Sequence, residues 1–341
     1  MKDNTDGYNK NSGISEVLYL NDFIGNDTKE QLKKFEIFFR DSLSSDSDLL
    51  NRILKYIFDQ QSKRMRPVCV FLSAAATLKP ITEFTYVAAA VVEMLHTASI
   101  VHDDVIDRSE QRRGNKSINA EWSSKIAVLT GDYLLSNMLV LTAKHKMFDI
   151  IDAMANLTCE MSLGEMIQTE KSVDMDTSEE VYYEIIKKKT AILIGASMKF
   201  GAKSTGADEL AQLMYETGEN IGMAFQIKDD IADFEKTNLL GKPAGNDIVE
   251  RKITLPLIYA LKQCGEKDRK HILKCVKEAD TNRKNVQTVR NFVIENRGIE
   301  YAAKVAQNYI SKAVSLISTL EDSAAKQSLI KLSYYAINRT K

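Results

Sequence analysis

Two short runs carry carboxylates at a spacing that invites a divalent cation. The first is Asp103-Asp104-Val105-Ile106-Asp107, and the second is Asp229-Asp230-Ile231-Ala232-Asp233. Each follows a long apolar stretch, and each has a basic residue just before it, His102 and Lys228. On a helix the first and fifth residues of such a run share a face. Two like charges about 6 Å apart repel by ~0.7 kcal/mol in water and by ~3 kcal/mol at an effective dielectric of 20. A single run reads equally well as a solvated helix end. Two copies in matching settings point to a cation, and hard carboxylate oxygens suit Mg²⁺, which keeps several waters and bridges to phosphates.

Basic groups accompany the acidic ones. Arg112-Arg113-Gly114 follows the first run; on a helix the two arginines would point about 100° apart and could hold two different anions. Lys63-Arg64-Met65-Arg66-Pro67 is a second basic group, with Pro67 expected to force a chain turn. Lys187-Lys188-Lys189-Thr190 lies in a helical stretch with an apolar opposite face, and Lys242 and Lys252 flank the loop after the second run. Each alone reads as surface charge. Together with the carboxylates they suggest diphosphate sites, with arginine suited to bidentate contact. Glu93-x-x-His96 has the form of a di-iron carboxylate motif, but that class needs two copies and the sequence holds no second.

The elements that must position these groups read as helices. The 341 residues include only four prolines and 15 glycines, where average usage would give roughly 17 prolines. Leu32, Phe35, Phe38, Phe39 and Leu43 repeat at helical spacing, as do Val305, Tyr309, Ile310, Ala313, Leu316, Ile317 and Leu320. No sustained alternation with turn chemistry marks a sheet. Residues 168–180 read as a polar break, with Thr177 and Glu180 as a capping box, and 236–250 as a loop. The expected architecture is all-α: a disordered tail over 1–14, then one domain over 15–341. A net charge of -1 gives no general attraction to nucleic acid. The four cysteines are scattered with no C-x-x-C pair, the N-terminus lacks an apolar signal core, and the apolar run Tyr86–Leu95 is short for a membrane span. A cytoplasmic setting with no transmembrane segment is expected.

In order along the chain, Lys63-Arg64-Met65-Arg66-Pro67, Glu93 to Ser99, both aspartate runs, Arg112-Arg113-Gly114, Gly131-Asp132, Gly164-Glu165, Lys189-Thr190, Phe225-Gln226, Gly241-Lys242-Pro243, Asp247 and Lys252 to Pro256 resemble the trans-isoprenyl diphosphate synthases, or polyprenyl synthetases. The resemblance covers about residues 30–340. One departure is Ser62, where the family has glycine. The resemblance implies an isoprenoid-synthase-type helical bundle around a deep central cavity, a homodimer, and condensation of isopentenyl diphosphate with an allylic diphosphate. It implies that Asp103, Asp107 and Asp229 bind two to three Mg²⁺ ions with the allylic diphosphate, helped by Asp104, Asp230 and Asp233. Arg112, Lys189 and Lys242, with Lys252, would contact that diphosphate. Lys63, Arg66, His96 and Arg113 would hold isopentenyl diphosphate, and Thr190 and Gln226 would turn oxygen dipoles toward the developing cation. A terpene cyclase shares one aspartate run but uses a different second metal motif. A non-catalytic subunit of a heteromeric synthase would be expected to lose aspartates, and all six are present.

Product length follows from the residues under the first run. A helical turn rises 5.4 Å, about one isoprene unit, so each condensation moves the tail roughly one turn deeper. Ala98 and Ser99, five and four residues before Asp103, are small, where short-chain members of the family carry an aromatic. Leu95, Met94 and Val91, with Met138, Leu139 and Thr142, are deeper candidates for a floor. The expected product is long, about C30–C50 and centred on about C40, with transient membrane contact on its release. A farnesyl or geranylgeranyl diphosphate synthase is the shorter-chain alternative.

Overall fold

A computed structural model describes residues 24–60, 63–112, 114–235 and 245–338. The expected tail 1–14, Ser62, Arg113, Gly241, Lys242 and Pro243 lie outside these residues. The chain runs α1 (Asn26–Asp41), α2 (Asp48–Asp59), α3 (Met65–Ala75), α4 (Glu83–Ile106), β1 (Gln111–Arg112), β2 (Asn115–Lys116), α5 (Ile118–Glu121), α6 (Ser124–Lys144), α7 (Phe148–Asp174) and α8 (Glu179–Ile186). A π-helical turn, Lys187–Ala191, leads into α9 (Ile192–Ser204), then α10 (Ala211–Phe234), α11 (Asn246–Val249), α12 (Leu255–Gln263), α13 (Glu266–Lys277), α14 (Arg283–Glu295), α15 (Gly298–Ser318) and α16 (Ala324–Asn338). The all-α expectation holds.

Helices α4 and α9 form the spine. Val87 to Val92 and Met94 are wholly buried, and α9 is buried on nearly every side. A helix apolar all round has no solvent face to give up, so it sits in the middle of a bundle. The predicted stripe on α1 enters the core through Phe35 and Phe39, and Leu43 follows just past the helix; that on α15 enters through Ile310, Ala313 and Ile317. Glycines set the closest crossings. A Cβ on Gly201 of α9 would lie 2.2 Å from the Val70 carbonyl oxygen and 2.0 Å from Ser73 Oγ on α3. Gly201→Ala should therefore lower the unfolding free energy by about 2–3 kcal/mol in chemical denaturation, since backbone cannot step aside as a side chain can. An unchanged midpoint would show that α3 and α9 are not in this contact.

Five local expectations are corrected. Gln111 and Arg112 pair antiparallel with Lys116 and Asn115, so a short hairpin interrupts the helices. Gly114 supplies the positive φ of 78° that its turn needs. Arg112 is thus on a strand and not on a helix. Pro67 does not turn the chain but sits in the first turn of α3, where its missing N–H costs no helical bond; the turn belongs to Arg64, at φ 46°. Helix α7 runs to Asp174, and the N-cap of α8 is Ser178, whose hydroxyl accepts from the Val181 N–H at 3.3 Å, one residue from the expected frame. Within the expected loop 236–250, residues 246–249 are helical. Leu139 is 45% exposed and faces outward, away from any buried floor.

By length and composition α4 and α6 are both apolar enough to cross a membrane, which the run Tyr86–Leu95 did not suggest. The bundle claims α4, 67% of whose most apolar window is buried, against 33% for α6. The outer sides of α6 and α7 expose Val128, Leu129, Leu139, Val140, Phe148, Leu163, Met166 and Val173.

Candidate active site

Both aspartate runs end long apolar helices, α4 and α10, as expected. Within each run the residues divide by what already holds them. Asp104 is buried and receives Arg112 Nη2 at 2.7 Å and Nε at 3.1 Å. Asp230 is buried and accepts from the Tyr182 hydroxyl at 2.6 Å and from Gln226 Nε2 at 2.9 Å. Asp233 accepts the backbone N–H groups of Gly245, Asn246 and Asp247 at 2.9, 3.0 and 3.1 Å, and so fixes where the chain re-enters after the second run. These three carboxylates brace the scaffold. Asp103, Asp107 and Asp229 are the members to which the resemblance assigns the cation.

The first run comes within electrostatic reach of the segment that follows the second. Burial pulls the Lys252 ammonium down, but Glu250, Asp107 and Asp247 outweigh it and hold it above the usual lysine range. A residue beyond the second run therefore feels the last carboxylate of the first. The Asp103 carboxyl is pushed up to about 6, by burial first and then by Glu165 and Asp107, against the pull of Lys189 and Arg112. Asp230 and Asp247 are also pushed up, by burial and by neighbouring carboxylates.

That surplus of buried negative charge fits a divalent cation. Among the described residues no three His, Cys, Asp or Glu side chains form a ready cage. The protein offers carboxylates on two walls, which suits Mg²⁺ completed by substrate oxygens better than an all-protein site.

The other predicted residues fall into two cavities. One, of about 610 Å³ including its open mouth, is lined by Lys189, Thr190, Gln226 and Lys252, with Tyr182, Asp230 and Asp247. The π turn helps shape it, as π turns often do at functional sites. A Cβ on Gly222 would lie 2.6 Å from Ala191 Cα, so only glycine lets α10 come this close. Thr190 then donates to Gln226 Oε1 at 2.9 Å, and Gln226 passes a hydrogen bond on to Asp230. Lys189 pairs with Glu165.

The other cavity, of about 520 Å³ including its open mouth, is lined by His96, Arg64, Glu93, Thr97, Asp104 and Arg112. Arg112 thus lines the cavity of His96, because its strand carries it against Asp104, while it still acts on Asp103 together with Lys189. Lys63 and Arg66 line neither cavity but bracket Arg64, which does. Ala98, Leu95 and Met138 are buried together in the core beneath Asp103, and Ser99 turns its hydroxyl back to the His96 carbonyl at 2.9 Å.

Sequence reasoning gave no role to Tyr182, Glu165 or Arg64. Tyr182 follows no spacing rule. Glu165 had a signal in the preceding Gly164, whose Cβ would lie 2.9 Å from Lys188 Cβ and so admits α7 to the π turn.

Comparison with known proteins agrees with this geometry. The profile of the family described as polyprenyl synthetase matches residues 47–293. Heptaprenyl diphosphate synthase component 2 of Bacillus subtilis is 35% identical over 296 residues, covering 86% of this chain and 84% of that protein. Octaprenyl diphosphate synthase of Haemophilus influenzae is 34% identical over 299 residues, covering 87% and 90%. The crystal structure of a decaprenyl diphosphate synthase from Rhodobacter capsulatus superposes with a TM-score of 0.88 at 28% identity, covering 94% of this chain and 99% of that one. With two aspartate-ended helices, a cavity beside each run and a matching profile over most of its length, the chain belongs to the polyprenyl synthetase family.

Proposed function

We propose that the protein is a prenyltransferase that condenses isopentenyl diphosphate with an allylic diphosphate (geranyl, farnesyl or longer) to give a long-chain all-trans polyprenyl diphosphate. The observation that carries this reading is a pair of cavities beside the carboxylates, one lined by His96 and Arg112 and the other by Lys189 and Lys252. Two diphosphates need two cationic berths, and only one of them must be ionised.

Asp103, Asp107 and Asp229 would hold Mg²⁺, which when bound neutralises charge building on the departing diphosphate. Lys189 and Lys252 add fixed positive charge on the same side. Thr190 gives its proton to Gln226. Its own lone pairs are thereby left for the cavity, where they can stabilise an allylic cation. His96 and the Lys63–Arg66 segment would orient isopentenyl diphosphate so that its double bond meets C1 of that cation. The proton then lost goes to the released pyrophosphate, so no protein nucleophile is required. Apolar walls from α4 and α9 exclude the water that would quench the cation to an alcohol.

The length of the tail follows from what lies under Asp103. Ala98 is small and buried, and below it come Leu95 and Met138. We read this as a path for a product of about C30–C50, near C40, at one helical turn per isoprene unit. The exposed apolar sides of α6 and α7 support a homodimer, since patches of this kind mark protein interfaces. The Bacillus subtilis relative is named as a component. That name supports a second reading, in which this chain needs a different partner subunit. We also propose a cytoplasmic setting, with all four cysteines as free thiols.

The test is pyrophosphate release with isopentenyl and farnesyl diphosphates. Release that needs both substrates and Mg²⁺, and stops with EDTA, is expected. Release from farnesyl diphosphate alone would indicate a cyclase, and none from the chain alone would favour the two-component reading.

A further inference from the structure

Arg64 sits between two candidate substrate ligands, yet its own charge is spent elsewhere. Its Nε and Nη2 meet the two oxygens of Glu36 at 2.7 and 3.3 Å, and its Nη1 meets Glu93 Oε1 at 2.8 Å. The guanidinium carbon lies 5.1 Å from the centre of the Phe39 ring. The side chain is 11% exposed and that of Glu93 only 3%. Burial pulls the guanidinium down, but Glu93 and Glu36 outweigh it and hold it above the usual arginine range. A cation already met by two carboxylates is a poor ligand for a diphosphate.

The backbone at Arg64 is left-handed, at φ 46°, a conformation that a residue with a long side chain adopts only when its surroundings over-determine it. This residue is the N-cap of α3, with Lys63 before it and Arg66 two residues after. Its other anchor, Glu93, stands on α4 three residues before His96, on the same face. Arg64, Glu93 and His96 line one cavity. Lys63 in turn reaches the Tyr335 hydroxyl of α16 at 3.4 Å.

We propose that Arg64, clamped by Glu36 and Glu93, is a positioning residue that registers the Lys63–Arg66 segment against His96 and so sets the site for the second diphosphate. The inference rests on the prenyl-transfer reading and extends it to a residue that touches no substrate. The clamp ties two separate elements together, and each contributes ligands to one anion.

Arg64→Gly keeps a left-handed backbone accessible and removes the clamp. Its KM for isopentenyl diphosphate should rise about tenfold or more, while KM for the allylic substrate stays within about twofold. Glu93→Gln should show the same asymmetry at about threefold to fivefold. Unchanged KM values in a folded Arg64→Gly, or equal rises in both, would overturn the proposal, because a purely structural role would not single out one substrate. If Arg64→Gly does not fold, Glu36→Gln decides. Glu36 is 37% exposed; a selective rise of about threefold supports the clamp and no rise overturns it. Absence of isopentenyl-dependent release in the unaltered protein would instead refute the functional reading on which this rests.

Discussion

Asp103→Asn is expected to lower kcat by about 10²–10³-fold or more, the loss that follows when one preorganised charge-stabilising contact is removed from a reacting centre. The same change should not unfold the protein. Among the described residues no side-chain hydrogen bond or ion pair holds Asp103 as Arg112 holds Asp104. Its carboxyl is pushed up to about 6 from an ordinary 3.8, mainly by burial. Between those values the folded chain binds the proton more tightly than the unfolded chain does. This group therefore favours folding most below pH about 4, and that contribution is lost as pH rises through about 6. In EDTA at pH 7.5, Asp103→Asn should melt at or above the temperature of the parent, and its stability should fall less steeply over pH 4–6. Near-normal Mg²⁺-dependent turnover would remove Asp103 from the mechanism. A large drop in melting temperature would mean that its charge is structural.

Ala98→Phe should shorten the product to about C15–C20, roughly three to four helical turns of tail at most. Ala98 is wholly buried on α4, one turn above Met94 and Leu95 and in the cluster that includes Met138. A phenyl ring there fills the first step of the proposed path. Overpacking should also cost about 1–3 kcal/mol of stability, so a modestly lower melting temperature is part of the expected result. An unchanged product length in a folded variant would place the tail elsewhere. Methionines make this region adaptable: Met94, Met138 and Met154 are buried in one cluster, and unbranched thioethers re-pack around a guest with little strain.

Much of this site was legible in the sequence because its logic is local. Asp103 and Asp107 share a helix face by spacing alone, and the scarcity of proline announced the long helices that carry both runs. The basic residues were also visible as residues. Their grouping was not, because it depends on crossings set by Gly201, Gly218 and Gly222, and on a π turn that shifts Lys189 and Thr190 relative to an α-helix. A Cβ on Gly218 would lie 2.6 Å from the Ile194 carbonyl oxygen. The division of labour inside each aspartate run was equally hidden. Asp104, Asp230 and Asp233 differ from their neighbours only in partners drawn from a strand, a tyrosine on α8 and the backbone entering α11. Arg112 shows the cost of assuming a helix: once on a hairpin, it turns to Asp104 and into the cavity of His96.

The central claim is that the two cavities beside the carboxylates join two diphosphates into a longer chain. It is tested most directly by the mass of the dephosphorylated product made from isopentenyl and farnesyl diphosphates with Mg²⁺. The account predicts a linear prenol series stepping by one isoprene unit and ending near C40, within about C30–C50. A cyclic hydrocarbon formed without isopentenyl diphosphate, or a series that stops at about C15–C20 with Ala98 intact, would contradict it.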